Sequence, residues 1–472
     1  MFRKILIANR GEIAVRIIRA CAEMGIRSVA IFSDADRYAL HVKKADESYG
    51  LGEDPLAGYL NVHRIVNLAV STGCDAIHPG YGFLSENPEL AQACQQHGIL
   101  FIGPDARTIQ RMGDKTEARF AMQRAGVPVT PGTDGNLTSE EDALARAAEL
   151  GYPVMLKATS GGGGRGIRRC DSPEDLQRNY ERVISEATKA FGRADVFLEK
   201  CVVNPKHIEV QVIGDHHGNC IHLFERDCSI QRRNQKLIEI APSPQISEAQ
   251  RQYIGGLAVT AARAVGYTNA GTVEFLLDRD GRFYFMEMNT RIQVEHTITE
   301  AITGIDLVEE QIRVAAGLPL RYSQEQVGRR GYAMQFRINA EDPKNNFLPS
   351  FGRISRYYAP GGPGVRTDGG IYTGYSIPPY YDSMLAKVIV WALTWEDLLA
   401  RGERALRDTG LAGIKTTIPF YLEILRSPDF RSGTFNTGFL DAHPELLDYS
   451  CKRRKEEVAA ALAAVIAAHA GL

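Results

Sequence analysis

Short apolar runs alternate with helix-like patterns over roughly the first 110 residues. Between the first two runs, the apolar residues of GEIAVRIIRACAEMG recur at helical spacing up to Gly25. A later helix is capped by Asn87 and opened by Pro88. Because strands alternate with helices, the pattern predicts a parallel sheet with crossover helices, which is the α/β class. The predicted strands are ILIA (5–8), SVAIFS (28–33), DAIHPG (75–80) and ILFIGP (99–104).

The pattern changes twice further along the chain. YPVMLKA and GIRRC predict strands on either side of a glycine run, and a helix capped by Asp171 or Ser172 follows. The segments DVFLEKCV, HIEVQVIGD and CIHLFERDC predict three more strands. After about residue 330, strands, glycine/proline turns and a helix over 396–408 predict a third, mixed region. The terminal VAAALAAVIAAHAGL predicts a soluble helix, because it is too short to span a membrane.

The composition limits the classes of protein that fit this pattern. A chain of 472 residues is too long for one ordinary core, so about two to four domains are expected. A formal net charge of −2 does not indicate a strongly basic surface for nucleic acid. The eight cysteines form no Cys-x-x-Cys pair, and the N-terminus MFRKILIANRGE turns polar too soon for a signal peptide. We therefore expect a cytoplasmic protein that binds neither nucleic acid nor membrane.

The run GGGGRG at 161–166 matches the dinucleotide fingerprint G-x-G-x-x-G only formally. That fingerprint needs a helix after the glycines, whereas IRRC predicts a strand, and no Lys-Ser or Lys-Thr follows as a Walker motif requires. A hairpin with a glycine-rich tip can wrap its backbone N–H groups around phosphate oxygens, with Lys157 and Arg165 adding positive charge. A flexible hairpin tip that binds nothing is the alternative interpretation.

The segment GTVEFLLDRDGRFYFMEMNTRIQVEH (271–296) carries the candidate chemistry. Asp280-Gly281 predicts a two-residue hairpin turn, so opposed residue numbers sum to 561 and Glu274 faces Glu287. Directly opposed carboxylates repel each other, so the pair indicates a divalent cation between them.

Side chains alternate along a strand, so a continued extended conformation would gather the polar residues on one face. An outer strand that faces solvent would also be polar, but the hairpin reads as buried, which favours a site. The predicted site has metal ligands at one end and anion ligands at the other. The predicted polar face consists of Glu287, Asn289, Arg291, Gln293 and Glu295. The opposite, mostly apolar face consists of Met288, Thr290, Ile292 and Val294.

Several long motifs, taken in their order along the chain, make residues 1–446 resemble the biotin carboxylases of the ATP-grasp superfamily. The motifs that carry the resemblance are KILIANRGEIAVRIIRA, HPGYGFLSEN, FIGP, MGDK, KATSGGGGRG, ERDCSIQRRNQK, EMNTRIQVEH and RINAEDP. It implies an N-terminal parallel α/β domain, an ATP-grasp core with a mobile glycine-rich lid, and a C-terminal α+β region. By this resemblance the N-terminal domain covers 1–113 and the ATP-grasp core covers 114–330, with its lid at about 131–203. The C-terminal region covers 331–446, and a helical tail covers 447–472.

The resemblance also implies a reaction and its cofactors. MgATP, with two Mg²⁺ or Mn²⁺ ions, phosphorylates bicarbonate to carboxyphosphate, and the released carbon dioxide is captured by N1′ of biotin on a partner protein. By resemblance, Glu295 is the general base, Arg337 stabilises the biotin enolate, and Glu86 orients Arg337.

Further roles are assigned by resemblance alone, residue by residue. The implied ATP-binding residues are Lys115, Lys157, Gly163, Gly164, Glu199, Lys200, Cys201, Val202, His207, Gln231, Asn234 and Leu276. The implied bicarbonate and biotin residues are Lys236, Arg291, Gln293, the Val294 backbone, Arg337, Tyr81 and Gly82. The implied metal ligands are Glu274, Glu287 and Asn289, and the implied catalytic residues are Glu295, Arg291, Arg337 and Lys236. Cys228 is expected to be a small buried side chain rather than a nucleophile.

The chain departs from the acetyl-CoA carboxylase type at Asn234, where that type commonly has histidine. AMQFR, APGGPGVRTDGG and FLDAHPELLDYS look closer to pyruvate carboxylases, and no AMKM-like biotinylation motif occurs. The chain thus resembles the biotin carboxylase subunit of a two-subunit pyruvate carboxylase, expected as a homodimer or larger hetero-oligomer. Its partner would carry biotin and the carboxyltransferase, and residues 451–472 would dock that partner or form a solvent-exposed helix.

Three alternatives stay open at this point. The chain could be the biotin carboxylase subunit of an acetyl-CoA or other acyl-CoA carboxylase. It could be another ATP-grasp ligase that joins a carboxylate to an amine. It could also be a nucleotide-sensing module without activity, although the complete set of candidate ligands argues against that.

Overall fold

The computed structural model describes residues 1–133, 135–159, 166–191, 195–449 and 455–470. Gly163 and Gly164, which the sequence predicts at the phosphates, lie outside the described residues, as do 451–454 of the tail.

The N-terminal region forms a five-stranded parallel sheet, as the alternating pattern predicts. Its strands are β1 (Lys4–Ile7), β2 (Arg27–Phe32), β3 (Glu47–Gly50), β4 (Ala76–His78) and β5 (Leu100–Phe101), in the order β3-β2-β1-β4-β5. Its helices are α1 (Gly11–Glu23), α2 (Leu40–Lys44), α3 (Val62–Ser71), α4 (Pro88–Gln96) and α5 (Ala106–Gly113). The Asn87 side chain accepts from the first turn of α4, which confirms the predicted cap. The sequence analysis missed β3, whose residues are polar and mostly exposed.

A small antiparallel sheet with two helices on it follows. Its elements are α6 (Lys115–Arg124), α7 (Glu140–Leu150), β6 (Val154–Ala158), β7 (Ile167–Cys170), α8 (Pro173–Phe191) and β8 (Val196–Lys200). The order β7-β6-β8 confirms that strands flank the glycine run. Of the two predicted caps of α8, Ser172 accepts from the Asp175 backbone.

The rest of the chain is organised by an eight-stranded antiparallel sheet. The elements up to the end of β14 are β9 (Lys206–Gly214), β10 (Cys220–Arg232), β11 (Gln235–Ala241), α9 (Glu248–Ala264), β12 (Asn269–Leu277), β13 (Phe283–Asn289), α10 (His296–Thr303), α11 (Leu307–Ala315) and β14 (Tyr332–Asn339). The following strands are β15 (Glu341–Asp342), β16 (Leu348–Pro349), β17 (Gly352–Arg353), β18 (Arg356–Tyr358), β19 (Val365–Gly369), β20 (Ser376–Ile377), β21 (Met384–Ala392) and β22 (Gly410–Ala412). The last helices are α12 (Trp395–Asp408), α13 (Ile418–Arg426), α14 (Pro428–Arg431), α15 (Phe439–Ala442) and α16 (Lys455–Ala470).

The large sheet has the strand order β13-β12-β9-β10-β11-β14-β21-β19. The division at 330/331 lies between two neighbouring strands of this sheet, because β11 pairs directly with β14. One face of the sheet therefore receives side chains from both sides of that division, and the candidate site lies there.

The β12–β13 hairpin confirms the predicted pairing of Glu274 with Glu287, but not the predicted turn. Near the tip, the numbers of paired residues, such as Phe275 and Phe285, sum to 560. The reason is that the loop has three residues, Arg279 to Gly281, rather than two. Gly281 has φ +82°, as the last residue of such a loop requires. A bulge at Met286 adds one residue and restores the sum of 561 at Glu274.

The predicted terminal helix is present as α16, and its Leu462, Val465 and Ile466 side chains are 58–66% exposed. No helix among the described residues is both long and apolar enough to cross a membrane.

The seven described cysteines are all free, as their spacing predicts.

Candidate active site

Lys236 on β11 occupies the centre of a cluster of three carboxylates. Its Nζ lies 3.0 Å from Glu274 Oε1 and 2.7 Å from Glu295 Oε1, and it also donates to Glu209. Burial alone would lower the pKa of Lys236, but the three carboxylates hold it well above its usual range. The ammonium is therefore permanently charged.

Glu274 is 3% exposed and accepts hydrogen bonds on both carboxylate oxygens. His207 Nε2 lies 2.7 Å from Oε2, while the Asn289 and Gln293 amides donate to Oε1 at 2.8 and 2.6 Å. Burial would raise its pKa, but Lys236 and His207 together hold the pKa well below its usual range. Glu274 is thus an ionised carboxylate fixed from four directions.

Glu287 is the other member of the opposed pair and is far less constrained. Its side chain is 37% exposed, and Lys115 Nζ at the start of α6 lies 4.0 Å away. Burial raises the pKa of Glu287, and the negative charge of Glu274 raises it further. An ionised carboxylate that disfavours the ionisation of its neighbour fits a divalent cation, whose charge would relieve this repulsion.

The segment after β13 is not extended, contrary to the alternation predicted from the sequence. β13 ends at Asn289, and residues 290–295 run irregularly into α10. The predicted polar residues converge nevertheless, because Gln293 bridges Glu274 and Arg226, and Arg291 Nη2 lies 3.0 Å from Asn289 Oδ1.

Glu295 and Arg337 form an ion pair at one end of the cluster, with Oε2 and Nη2 3.0 Å apart. Arg337 also donates to the fully buried Glu239. The expectation that Glu86 orients Arg337 is wrong: Glu86 pairs with Arg291 at 2.9 Å, and the carboxylates at Arg337 are Glu239 and Glu295. Sequence reasoning missed Glu239, since it is separated from Arg337 by 98 residues and meets it only through sheet pairing.

Arg226 on β10 is a second group that the sequence analysis missed, and it lies beneath the cluster. Its guanidinium is fully buried and donates to Glu209, Gln211, Thr272, Gln293 and Thr299. Five acceptors match the five N–H groups of arginine, so no donor is left unsatisfied. The available signal was the run of three charged residues, Glu225 to Asp227, inside the predicted strand CIHLFERDC.

The predicted ATP-binding residues of the small sheet contact each other. Lys157 on β6 donates to Glu199 on β8, which also pairs with Arg119 at 3.2 Å. Lys200 Nζ donates to the carbonyls of Gly151 and Tyr152 at 2.8 and 3.0 Å, so its ammonium holds the loop before β6. The Cys201 thiol points at the Val202 carbonyl, 3.8 Å away.

Four more predicted ATP-binding residues lie on the large sheet. Gln231 pairs directly with Lys236, and Leu276 pairs with His207. Paired residues project to the same face, so Gln231 and His207 both border the cluster. Asn234 has φ +64° and follows Arg233 at φ +49°, so the two residues form a two-residue hairpin turn. This backbone conformation is enough to favour asparagine at position 234, whether or not it binds a nucleotide.

Tyr81 and Gly82, predicted near biotin, lie in the loop after β4. The Tyr81 carbonyl accepts from Asn9, and its ring centroid is 5.9 Å from Lys387 Nζ. Cys228 is fully buried, as expected, and burial raises the pKa of its thiol well above the usual range.

Three family models match almost the whole chain. They are described as "Biotin carboxylase, N-terminal domain" over residues 1–109, "Carbamoyl-phosphate synthase L chain, ATP binding domain" over 114–323, and "Biotin carboxylase C-terminal domain" over 335–442.

Curated relatives match at high identity. The 2-oxoglutarate carboxylase small subunit of Hydrogenobacter thermophilus is 56% identical over 472 residues, which is 100% of both chains. A crystal structure from that organism, of the biotin carboxylase domain dimer with MgADP, ADP and bicarbonate, superposes with a TM-score of 0.94 over 96% of this chain and 100% of the other.

Two further relatives differ in how much of this chain they match. A pyruvate carboxylase subunit from Methanothermobacter thermautotrophicus is 50% identical over 458 residues, 97% of this chain and 93% of the relative. The biotin carboxylase of a Nostoc species is 54% identical over 440 residues, which cover 93% of this chain and 98% of the relative.

Proposed function

The chain belongs to the biotin carboxylase family, and we propose that it is the biotin carboxylase subunit of a two-subunit carboxylase that acts on a 2-oxo acid. As a biotin carboxylase it is an ATP-dependent ligase that uses Mg²⁺, ATP, bicarbonate and biotin carried by a partner protein. The two non-carboxylase alternatives raised by the sequence are thereby set aside. The observation that carries the mechanism is the buried cluster of Lys236, Glu295 and Arg337 beside the Glu274–Glu287 pair.

Glu274, Glu287 and Asn289 would hold Mg²⁺ or Mn²⁺, two ions being the expected number. The raised pKa of Glu287 beside Glu274 supports this assignment, because a divalent ion would compensate the charge that now disfavours ionisation. An ion held there would neutralise charge on the phosphate oxygens of ATP. Lys115 and Lys157 would bind phosphates, and their positions at the start of α6 and on β6 support that role.

The ATP site would otherwise be formed by two groups of residues already described. The first group lies at β8, where Lys157 pairs with Glu199. The second lies on the large sheet, where Gln231 pairs with Lys236. The proposed lining residues are Glu199, Lys200, Cys201, Val202, His207, Gln231, Asn234 and Leu276, with Gly163 and Gly164 covering the phosphates.

Lys236, Arg291, Gln293 and the Val294 backbone N–H would bind bicarbonate. Lys236 now pairs with Glu295 and the Gln293 amide with Glu274, so a small planar anion would replace part of this pairing. Glu295 would accept the bicarbonate proton as the oxygen attacks the terminal phosphate of ATP, giving carboxyphosphate and ADP. Carboxyphosphate then separates into carbon dioxide and phosphate.

Arg337 would stabilise the negative charge that develops on the biotin ring when the phosphate released from carboxyphosphate takes the N1′ proton and N1′ bonds carbon dioxide. Tyr81 and Gly82 would lie along the ring. Arg337 is held by Glu239 and Glu295 on either side, which supports a fixed guanidinium that needs little rearrangement during the reaction.

Replacement of Glu287 by Gln tests the metal assignment. We expect Mn²⁺ affinity in the presence of ADP to fall by about 10-fold or more, because one hard anionic ligand becomes neutral. Electron paramagnetic resonance of bound Mn²⁺ measures the change. Asp280→Asn, at the exposed tip of the same hairpin, is the matched control and should bind like the wild type. Equal affinities in Glu287→Gln and wild type would rule out Glu287 as a ligand.

The final acceptor is proposed from the relatives. Pyruvate, favoured by the AMQFR and FLDAHPELLDYS segments, is supported by the match to the pyruvate carboxylase of Methanothermobacter thermautotrophicus. 2-Oxoglutarate is the second candidate, because the match to a 2-oxoglutarate carboxylase small subunit extends over all 472 residues. An acyl-CoA acceptor is the alternative outside this class.

Isolation of the complex from the cell that makes this chain tests the acceptor. The co-purifying carboxyltransferase, identified by mass spectrometry, would be assayed for ¹⁴C-bicarbonate fixation with pyruvate, 2-oxoglutarate and acetyl-CoA. Fixation on a 2-oxo acid supports the proposal and names the acid, whereas fixation on acetyl-CoA alone overturns it. In either case, the isolated subunit should cleave ATP in a reaction that depends on bicarbonate and biotin.

The tail would contact the partner that carries the carboxyltransferase. Its segment Val458 to Ala468 has no charged residue, and three of its large apolar side chains face water. A helix that is apolar all round is normally covered by protein. The match to the Nostoc biotin carboxylase covers 98% of that protein but only 93% of this chain, and the family models end at residue 442. The match to the 2-oxoglutarate carboxylase small subunit, by contrast, extends over all 472 residues and so includes the tail.

Deletion of residues 451–472 should weaken association with the carboxyltransferase partner by about 10-fold or more, while carboxylation of free biotin keeps its wild-type rate. Replacement of Leu462, Val465 and Ile466 by Gln should have the same effect, since Gln keeps helix propensity and removes apolar area. Surface plasmon resonance measures the affinity, and sedimentation checks whether self-association changes instead. Unaltered partner binding, or loss of self-association alone, would exclude this docking role.

A further inference from the structure

Two successive carbonyl groups in the segment before α10 are held by side chains with no role assigned above. The Gln293 carbonyl accepts from His296 Nδ1 at 2.7 Å, and the Val294 carbonyl accepts from Lys387 Nζ at 3.0 Å. Both donors are fully buried. Because a carbonyl oxygen only accepts, Nδ1 of His296 carries the proton.

Lys387 reaches this carbonyl from the centre of β21, where it pairs with Arg337 on β14 and Asp368 on β19. Its ammonium forms an ion pair with the buried Glu12 of α1 at 3.1 Å. A buried lysine is costly unless it is paired, and here one partner is the backbone of the candidate bicarbonate segment. The contact therefore joins α1, β21 and the segment that precedes α10.

The peptide group is planar and trans, so its N–H points opposite to its C=O. The Gln293 carbonyl and the Val294 N–H share one peptide plane, and the Val294 carbonyl and the Glu295 N–H share the next. Fixing both carbonyls thus fixes the direction of the Val294 N–H and the path of the backbone into Glu295.

We propose that His296 and Lys387 are positioning residues that hold the Gln293–Val294 and Val294–Glu295 peptide planes so that the Val294 N–H and the Glu295 carboxylate both face bicarbonate. The inference rests on the bicarbonate site proposed above. Neither residue touches the substrate, and each acts through the backbone. Loss of either should weaken bicarbonate use more than nucleotide use, because Lys115, Lys157 and the metal ligands lie on other elements.

The first test compares His296→Leu with His296→Asn. Leucine fills much of the buried volume but cannot donate, whereas the asparagine amide can donate from about the position of Nδ1. We expect His296→Leu to raise the KM for bicarbonate about 10-fold, with the KM for ATP changed less than about 2-fold, and His296→Asn to restore most of the loss.

The second test removes Lys387 together with its counter-charge, in the double variant Glu12→Gln/Lys387→Met, so that no buried carboxylate is left unpaired. Glu12→Gln alone is the matched control, because it keeps the Lys387 bond to Val294. The double variant should raise the bicarbonate KM by a similar factor, and the control should stay within about 2-fold of the wild type.

Steady-state ADP release at varied bicarbonate and ATP measures both constants, and thermal unfolding confirms that each variant is folded. A purely structural role would shift both KM values and the unfolding midpoint together, which would overturn the inference. So would a wild-type bicarbonate KM in folded His296→Leu. Wild-type enzyme without bicarbonate-dependent ADP release would instead refute the proposed function itself, so the two failures are distinguishable.

Discussion

Glu295→Gln is expected to lower the rate of bicarbonate-dependent ATP cleavage and of biotin carboxylation by about 10²–10⁴-fold. Glutamine keeps the shape of the side chain, and its amide oxygen can replace one of the two carboxylate oxygens that accept from Lys236 and Arg337. It cannot take a proton from bicarbonate. The wild-type carboxylate is 1% exposed and lies 2.7 Å from Lys236 Nζ and 3.0 Å from Arg337 Nη2.

The protonation state of Glu295 explains why this loss should be large. Burial would raise its pKa, but Lys236, Arg337 and Arg226 hold the pKa well below its usual range, so the group is ionised at neutral pH. Such a carboxylate would be a weak base until bicarbonate took over part of the cationic charge. The negative charge of the bound anion would then raise the pKa of Glu295 towards that of a useful proton acceptor.

Nucleotide binding separates this chemical role from a structural one. Glu295→Gln should bind MgADP within about 2-fold of the wild type in calorimetry, because the proposed metal and phosphate ligands are unchanged. Turnover within about 5-fold of the wild type would remove Glu295 from the mechanism. Loss of both MgADP binding and turnover would point to a disturbed cluster rather than to a missing base.

The sequence predicted the Glu274–Glu287 pair by a route that was partly wrong. The assumed two-residue turn is a three-residue loop, and the bulge at Met286 compensates for it. Turn residues such as Asp280-Gly281 favour more than one loop length, and nothing local marks the bulge. The pairing was nevertheless predictable, because a one-residue slip would turn one of the two carboxylates towards the apolar face.

Residues 290–295 show the limit of reasoning from alternation. The prediction that the polar residues after Asn289 share one face assumed an extended strand, yet these residues converge from an irregular segment. What orients them is contact with distant groups: Glu86 at Arg291, Arg226 at Gln293, and Lys387 at the Val294 carbonyl. Such partners lie tens to hundreds of residues away, so one sequence gives their types but not their pairing. Motif resemblance assigns the residues that touch substrate and leaves those behind them unassigned.

Arg226→Met is expected to have the largest effect on stability: the free energy of unfolding should fall by about 3–5 kcal/mol, or the variant should have no stable fold. Methionine matches the length of the arginine stem but leaves the buried Glu209 with Lys236 as its remaining cation. The four other acceptors would each lose a donor within the protein interior. Buried polar groups that lose their partners cost more than the bonds themselves contributed.

Arg226→Lys tests the geometry separately from the charge. A lysine keeps one positive charge beside Glu209, but its three donors cannot reach five acceptors arranged around a planar guanidinium. We therefore expect it to recover only part of the loss. Because Gln293 would also be released from one side, the folded Lys variant should show a raised KM for bicarbonate.

Urea unfolding midpoints, followed by circular dichroism, compare these variants under one condition. Arg282→Met is the matched control, since that guanidinium pairs with Asp278 and Asp280 on the exposed end of the hairpin and its loss should leave the midpoint nearly unchanged. Equal midpoints for Arg226→Met and Arg282→Met would mean that the buried network contributes nothing net. The support of the proposed bicarbonate site would then have to come from the sheet alone.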